Sequence, residues 1–142
     1  MSALTKSTDR IGENFEAPDL QEPAVLDATQ IWQGGLVCVD ADGAASPGAD
    51  SATLSHAIGV SQVEALGDAA GTARCLAHGN IDYPFTSSGL TGVDVGKNVA
   101  IVDDNTVGTI TASTSKNAAG VLVRLVGATA WVKVGRFGAS DT

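Results

Sequence analysis

Aromatic and charged residues are scarce in this chain of 142 residues, at 4% and 17% of the sequence. A core with so few rings must be filled by small and β-branched side chains, which pack well in strands. The 17 glycines suit the turns that join short strands. This composition favours a fold made of strands and argues against long amphipathic helices.

Cysteine is also rare, and Cys38 and Cys75 each lie in an apolar run. Two cysteines do not make the disulfide framework of a small secreted domain. We therefore predict two buried free thiols and a reducing compartment, with a single disulfide as the alternative. The sequence has no apolar run of about 18 residues and no apolar signal-peptide core at its start. We expect neither standard secretion nor a membrane span.

Basic residues are outnumbered, and the formal net charge is −8. The net charge is −4 over residues 1–27, −6 over residues 28–96 and +2 over residues 97–142. Binding to nucleic acid through phosphates needs a basic stripe, which this distribution does not provide. The charge argues against a nucleic-acid partner and suits a soluble surface protein.

Short apolar segments separated by turn residues recur along the chain at roughly even spacing. They predict an all-β fold, a small β-sandwich or β-barrel of about 8–10 short strands. We expect an extended N-terminal arm over residues 1–28, a β domain over residues 29–135 and a C-terminal tail over residues 136–142. A chain of this length needs only one domain.

The best-defined element is a hairpin around Gly127-Ala128. Glycine at the first central position of a two-residue turn allows the positive φ of a type II′ turn. The predicted opposite pairs are Leu125–Ala130, Val123–Val132 and Val121–Val134 on an apolar face, and Arg124–Trp131 and Leu122–Lys133 on the other face. On the second face, the Arg124 side chain stacks on the Trp131 ring, and this side of the hairpin can contact water or a partner.

Residues 1–28 show neither helical nor strand periodicity, and their apolar side chains are too widely spaced to form a core. An ordered arm must therefore lie on its own body or on a neighbouring subunit; the alternative is a disordered tail. Trp32 and Trp131 are either interface residues or fill corners of the core. The candidate partner-binding residues are Leu4, Arg10, Ile11, Phe15, Leu20, Trp32, Arg124 and Trp131.

Motifs for metal binding are incomplete. The segment Asp40-Ala41-Asp42-Gly43 begins like a calcium loop, but counting from Asp40 places Ala44 at the third ligand position and Ser51 at the twelfth. Neither residue supplies the carboxylate that such a loop needs. No cysteine and histidine spacing suits zinc. We expect no metal and no cofactor.

Motifs for catalysis are equally weak. Ser113 to Lys116 fits the pattern S-x-x-K but lacks its companion motifs. His56 and His78 could join Asp82 or Asp94 in a charge relay, but no nucleophile motif accompanies them. We interpret both histidines as ordinary residues at strand ends. The sequence predicts that the protein is not an enzyme.

Several strand motifs, in this order and spacing, resemble those of the capsid cement or head decoration proteins of tailed bacteriophages. The motifs are Leu4-Thr5 with Thr8-Asp9-Arg10, Gly35 to Asp40 with Asp42-Gly43, Ile58-Gly59-Val60, Val95 to Val107, Ala119-Gly120-Val121 and Trp131 to Val134. The resemblance runs from Leu4 to Gly135. The sequence departs from the family pattern in the acidic segment Glu13 to Glu22 and in the tail Arg136 to Thr142.

The resemblance implies a small β protein on the outer capsid surface of a virion, assembled in the host cytoplasm. It implies a homotrimer, or a dimer, that bridges neighbouring subunits of the major capsid protein. The alternatives are another phage structural β domain, in a tail, fibre or head-completion protein, and a ligand-binding or hydrolytic β-barrel. The hypothesis of a ligand-binding or hydrolytic β-barrel depends only on His56, His78 and the carboxylates near them.

Overall fold

A computed structural model describes residues 3–8, 10–12 and 19–137. Nearly all the regular structure in these residues is β, which confirms the predicted fold class. A single 3-10 turn, Gly92–Asp94, is the helical element of the described part. No helix there is long and apolar enough to span a membrane. The strands are β1 Asp19–Gln21, β2 Gln30–Ile31, β3 Leu36–Val39, β4 Ala45–Pro47, β5 Gly59–Ser61, β6 Ala65–Leu66, β7 Ala77–Gly79, β8 Ile81–Ser88, β9 Asn98–Asp103, β10 Thr106–Thr109, β11 Ala118–Val126 and β12 Thr129–Val134.

Five strands form a closed barrel in the order β10-β8-β12-β11-β9. Pairing between the first and last strands of this order, β10 and β9, closes the barrel. All pairs are antiparallel except the parallel pair of β8 with β10. Closure leaves these strands without a free sheet edge along their paired lengths. Of the two predicted architectures, the second half of the chain therefore adopts the barrel.

The first half of the chain forms a five-stranded antiparallel sheet in the order β1-β7-β5-β3-β4. Strands β2 and β6 make a separate small pair. The outer edge of β4 is covered by residues 24–26, because Ala45 N–H donates to the Ala24 carbonyl at 2.7 Å and Leu26 N–H donates to the Ala45 carbonyl at 3.0 Å. Strand β1, whose residues are all exposed, lies at the opposite edge.

The two sheets share one hydrophobic core of small and medium side chains. Strands of the five-stranded sheet contribute Leu36, Cys38 and Val60 to it, and barrel strands contribute residues such as Leu122 and Val132. A second cluster lies on the other side of the five-stranded sheet and contains Val25, Ile31, Val37, Ala45, Cys75 and Ala77.

Part of the predicted arm belongs to this body. Strand β1 pairs with β7, and Val25 is buried in the second core cluster. The segment predicted as an arm therefore contains one edge strand and one core residue. Its apolar side chains are widely spaced, but Val25 packs against strands from elsewhere in the chain rather than against the arm itself.

Both cysteines are buried and free, as the sequence predicts. Burial raises the pKa of Cys38 to about 12 and that of Cys75 to about 11. The thiolate is the reactive form of cysteine, and burial disfavours this form at both Cys38 and Cys75.

The predicted turn of the β11–β12 hairpin is confirmed, but part of its register is wrong. Gly127 has φ 59°, and Val126 pairs with Thr129 across the two-residue turn. The pairs Leu125–Ala130 and Arg124–Trp131 are also as predicted. Beyond them a bulge shifts the register, so the pairs are Leu122–Val132, Val121–Lys133 and Gly120–Val134 instead of Val123–Val132, Leu122–Lys133 and Val121–Val134.

The bulge inserts one extra residue, Val123, into β11. A shift by one residue exchanges the two faces of a strand, so Leu122 is completely buried while Val123 is 38% exposed. Beyond the bulge, Gly120 lets strands β11 and β12 approach each other closely, because a β-carbon at this position would overlap the carbonyl oxygen of Lys133 in β12.

Strand β8 passes through Pro84, which has no backbone N–H to donate and is therefore expected at a sheet edge or at a strand end. The strand continues to Ser88, so it does not end at the proline. At Pro84 it pairs with β12 on one side only, since β10 pairs with residues 86–88. The strand is thus locally an edge at Pro84, and the missing N–H costs no ladder hydrogen bond.

The hydroxyl of Thr106 is fully buried in β10 and has no hydrogen-bond partner. A buried polar group without a partner destabilises the folded state by about 1–3 kcal/mol. We expect Thr106→Val to raise the free energy of unfolding by about 1 kcal/mol, measured by urea denaturation. The exposed Thr111, changed to valine, is the matched control. A loss of stability in Thr106→Val would show that the hydroxyl is hydrogen-bonded.

Candidate interaction site at the N-terminal segment

The N-terminal segment, residues 3–8 and 10–12, lies across the body without forming a strand. The Leu4 N–H donates to Asp104 Oδ1 at 2.8 Å, in the turn between β9 and β10. The Thr8 N–H donates to the Gln33 carbonyl at 2.9 Å, and the Gln33 N–H donates to Ser7 Oγ at 3.2 Å. The segment is therefore ordered on its own chain.

Arg10 is the central contact of this segment. Its guanidinium donates to the Gly34 carbonyl and to Asn105 Oδ1, each at 2.6 Å, and to the Pro84 carbonyl. The same group lies over the ring of Phe85, 4.4 Å from the ring centre. We call this arrangement the Arg10 site: Arg10, the carbonyls of Gly34 and Pro84, the side chain of Asn105, the ring of Phe85 and the nearby carboxylate of Asp104.

Arg10 and Asp104 influence each other electrostatically in the Arg10 site. Burial lowers the pKa of Arg10 to about 10, against the opposing effects of Asp104 and Tyr83, so the guanidinium stays charged at neutral pH. Burial raises the pKa of Asp104, while the Leu4 N–H and Arg10 act in the other direction. Each group therefore offsets part of the desolvation cost of the other.

Glycines make room for the segment. Gly34 has φ 88°, and a β-carbon there would lie 2.5 Å from Thr8 Cγ2. A β-carbon at Gly12 would lie 2.5 Å from Ile81 Cγ2 and 2.8 Å from Tyr83 Cε1. Larger residues at either position would push the segment off the body.

The predicted partner-binding residues fall into different environments. Leu4 and Arg10 contact the body of their own chain. Ile11 and Leu20 are 77% and 60% exposed. Phe15 lies outside the described residues.

The tryptophans are half-buried, so neither is a fully buried core residue. The Arg124 guanidinium lies 4.2 Å from the centre of the Trp131 ring, as the hairpin pattern predicts. Trp131 pairs with Pro84 on its other side, and Pro84 is the residue whose carbonyl accepts from Arg10. This row on the barrel surface leads from Arg124 to the Arg10 site. The Trp32 carbonyl accepts from Gly35 N–H at 3.1 Å in the turn before β3.

A shallow cleft of about 200 Å³ opens beside the Arg10 site. Thr86 and Thr129, which pair across β8 and β12, complete its wall.

Gly34, Pro84 and Asn105 contact the N-terminal segment, but the sequence did not predict them as contacts. The sequence signal for these contacts is the turn Asp103-Asp104-Asn105. In the structure the side chain of Asp104 in this turn is buried.

Asp40 and His56, two residues of the motifs considered for metal binding and acid–base chemistry, accept hydrogen bonds from backbone N–H groups. Asp40 Oδ1 accepts from the N–H groups of Asp42 at 2.9 Å and Ala44 at 3.0 Å, which closes the turn. His56 Nδ1 accepts from the Ala118 N–H at 2.9 Å. In the part of the chain that the structure describes, no three metal-ligating side chains lie together.

The S-x-x-K segment forms a loop that is closed by Asp50. This carboxylate accepts from Ser113 Oγ at 3.2 Å and from the N–H groups of Thr114 at 3.1 Å and Ser115 at 2.8 Å. The hydrogen bonds from Ser115 and its neighbours lower the pKa of Asp50 to about 2. Lys116 donates to the Ile110 carbonyl at 2.9 Å.

Asp50 should therefore stabilise the protein in a pH-dependent way. Its pKa is depressed in the folded state, so the stabilisation is complete above the ordinary carboxyl pKa of about 4 and is lost as the pH falls through about 2. We expect Asp50→Asn to lower the free energy of unfolding at pH 7 by less than about 1 kcal/mol, since the group is exposed. Urea denaturation at pH 7, 4 and 2 should show this difference shrinking; a difference constant with pH would contradict the assignment.

No protein-family model and no curated protein sequence matches this chain.

Proposed function

We propose that this chain is a capsid decoration, or cement, protein of a tailed bacteriophage. In this role it binds the outer surface of the head and stabilises it by bridging subunits of the major capsid protein. It acts as a homotrimer or a dimer.

The observation that carries this proposal is the convergence of the resembling motifs at the Arg10 site. The segment that begins at Leu4 and ends at Arg10 contacts Gly34, next to the Gly35 motif, and Asp104 and Asn105, within the Val95 to Val107 motif. Hydrogen bonds thus join three motifs that lie far apart in the sequence.

The other motifs are also neighbours in space. The Val95 to Val107 motif contains β9 and the start of β10, and the last two motifs lie in β11 and β12. These are four of the five barrel strands. The Ile58-Gly59-Val60 motif reaches β5, which pairs with β3 of the Gly35 motif. The resemblance therefore concerns one connected framework rather than isolated short matches.

The charge and the exposed side chains fit an outer surface. A net charge of −8 opposes contact with packaged DNA. Ile11 and Leu20 are apolar anchors that the described part of the chain leaves exposed. A decoration protein needs such anchors to bind a neighbouring subunit.

The mechanism is linkage between binding and lattice stability. A protein that binds only the mature lattice stabilises it by about 2.7 kcal/mol per site when its concentration is 100 times the dissociation constant. Association of copies raises the effective concentration of each further contact. A ring of copies also needs a head-to-tail interface, for which the row of Pro84, Trp131 and Arg124 is the candidate.

The proposal is tested by sedimenting expanded, undecorated heads with the purified protein. We expect saturable binding, with Ile11→Asp reducing the affinity at least about tenfold because a charge would replace an exposed apolar side chain that the proposed interface buries. Val93→Asp is the matched control, since Val93 is 76% exposed and Ile11 is 77% exposed. Failure of the intact protein to sediment with heads would contradict the function, and equal effects of the two variants would contradict the role of Ile11.

A further inference from the structure

The loop between β4 and β5 is fastened to the start of β11 by hydrogen bonds. The Ser51 carbonyl accepts from Asn117 Nδ2 at 2.7 Å, and the Ala57 N–H donates to the Ala118 carbonyl at 2.9 Å. Both alanines are buried, and Ala57 belongs to the core that the barrel shares with the five-stranded sheet. This contact therefore joins the two halves of the chain.

The side chain of His56 takes part in the same contact. Its Nδ1 accepts from the Ala118 N–H at 2.9 Å. A ring nitrogen that accepts a hydrogen bond carries no proton, so the imidazole is neutral and its proton is on Nε2. A protonated imidazole has an N–H on both nitrogens and cannot accept. Protonation of His56 would therefore remove the bond to Ala118.

The segments that meet at His56 also carry Asp40, Asp50, Lys116 and Arg136. Asp40 accepts from N–H groups of its own turn, and Lys116 and Arg136 donate to oxygens of other residues. The pKa of Asp50 is lowered to about 2, so this carboxylate stays ionised above pH 5. Histidine is the side chain that changes charge between about pH 5 and 8. Among these described residues, His56 is therefore the group that responds in that range.

The ring of Phe137 gives the imidazole a second neighbour. The two ring centres are 5.1 Å apart, and the ring planes are inclined by 45°. The face of an aromatic ring attracts a cation, so this contact suits the protonated imidazole as well as the neutral one. Protonation therefore acts on the bond to Ala118 and leaves the contact with Phe137 in place.

We propose that His56 is a pH-sensitive latch between the β4–β5 loop and strand β11. At about pH 8 the neutral imidazole holds the Ala118 N–H, and at about pH 5 the imidazolium releases it. The neighbouring bond from the Ala57 N–H to the Ala118 carbonyl opens more often in the released state, because both bonds hold residue 118. The latch does not depend on the proposed function.

The latch is tested by amide hydrogen exchange of the full-length chain, followed by NMR at about pH 8 and about pH 5. Rates are converted to protection factors, which removes the intrinsic pH dependence of exchange. We expect the protection factors of the Ala57 and Ala118 amides to be at least about threefold lower at the acidic pH. His78→Gln is the matched control, because it removes the other of the two histidines and should leave this difference unchanged.

Two variants at position 56 separate protonation from packing. His56→Asn has an amide oxygen as far along the side chain as Nδ1, and this oxygen accepts at either pH, so protection should not depend on pH. His56→Ala has no acceptor, so protection of Ala118 should be low at both pH values. Equal protection of the wild-type amides at the two pH values, or the same fall in His56→Asn as in the wild type, would overturn the proposal. The assay contains no heads, so its failure is distinct from failure of the proposed function.

Discussion

Replacing Leu122 with alanine should lower the free energy of unfolding by about 2–5 kcal/mol, the range for removing a fully buried leucine side chain. Leu122 is completely buried in the core shared by the barrel and the five-stranded sheet. Its neighbour Val123 is the extra residue of the bulge and is 38% exposed. Val123→Ala should therefore change the stability by less than about 1 kcal/mol.

This pair of variants tests the register of the barrel. Urea denaturation with a common m-value gives the two free energies directly. Without the bulge, alternation along β11 would bury Val123 and expose Leu122. A larger loss in Val123→Ala than in Leu122→Ala would therefore contradict the register described above.

Replacing Arg10 with alanine should lower the free energy of unfolding by about 2–3 kcal/mol, because hydrogen bonds to a partly buried charge are worth more than neutral ones. The variant loses the bonds to Gly34, Pro84 and Asn105 and the contact with Phe85. Asp104 also loses the cation that partly offsets its burial. We expect the amide protons of Leu4 and Thr8 to exchange at least tenfold faster than in the wild type.

The controls separate charge from geometry. Arg10→Lys keeps the charge but not the planar fork, so it should recover only part of the lost stability. Lys6→Ala removes an exposed cation of the same segment and should cost less than about 0.5 kcal/mol. Unchanged amide exchange in Arg10→Ala would show that Arg10 does not hold the segment.

Much of the fold is predictable because the sequence signals are local. The Gly127-Ala128 turn and the pairs nearest to it depend on a few adjacent residues. The register beyond Arg124 is not predictable in this way. Both Leu122 and Val123 are apolar, so alternation fits either face, and only packing against the rest of the barrel favours burying the leucine.

The Arg10 site could be predicted only in part. The sequence marks Leu4 and Arg10 as candidate contacts, but the acceptors of Arg10 lie 24, 74 and 95 residues away, in three separate parts of the chain. Two of them are backbone carbonyls, whose role does not depend on residue type. Such a site becomes visible only when the topology brings the turn before β3, strand β8 and the turn before β10 together.

The most direct measurement of the proposed function is a cryo-electron microscopy reconstruction of the phage head that we propose carries this chain. Our account predicts hundreds of copies on the outer surface, each barrel lying over a junction between major capsid subunits, with the segment around Ile11 in contact with a neighbouring molecule. Density for three to twelve copies at the neck or tail, or no density on the outer surface, would contradict it.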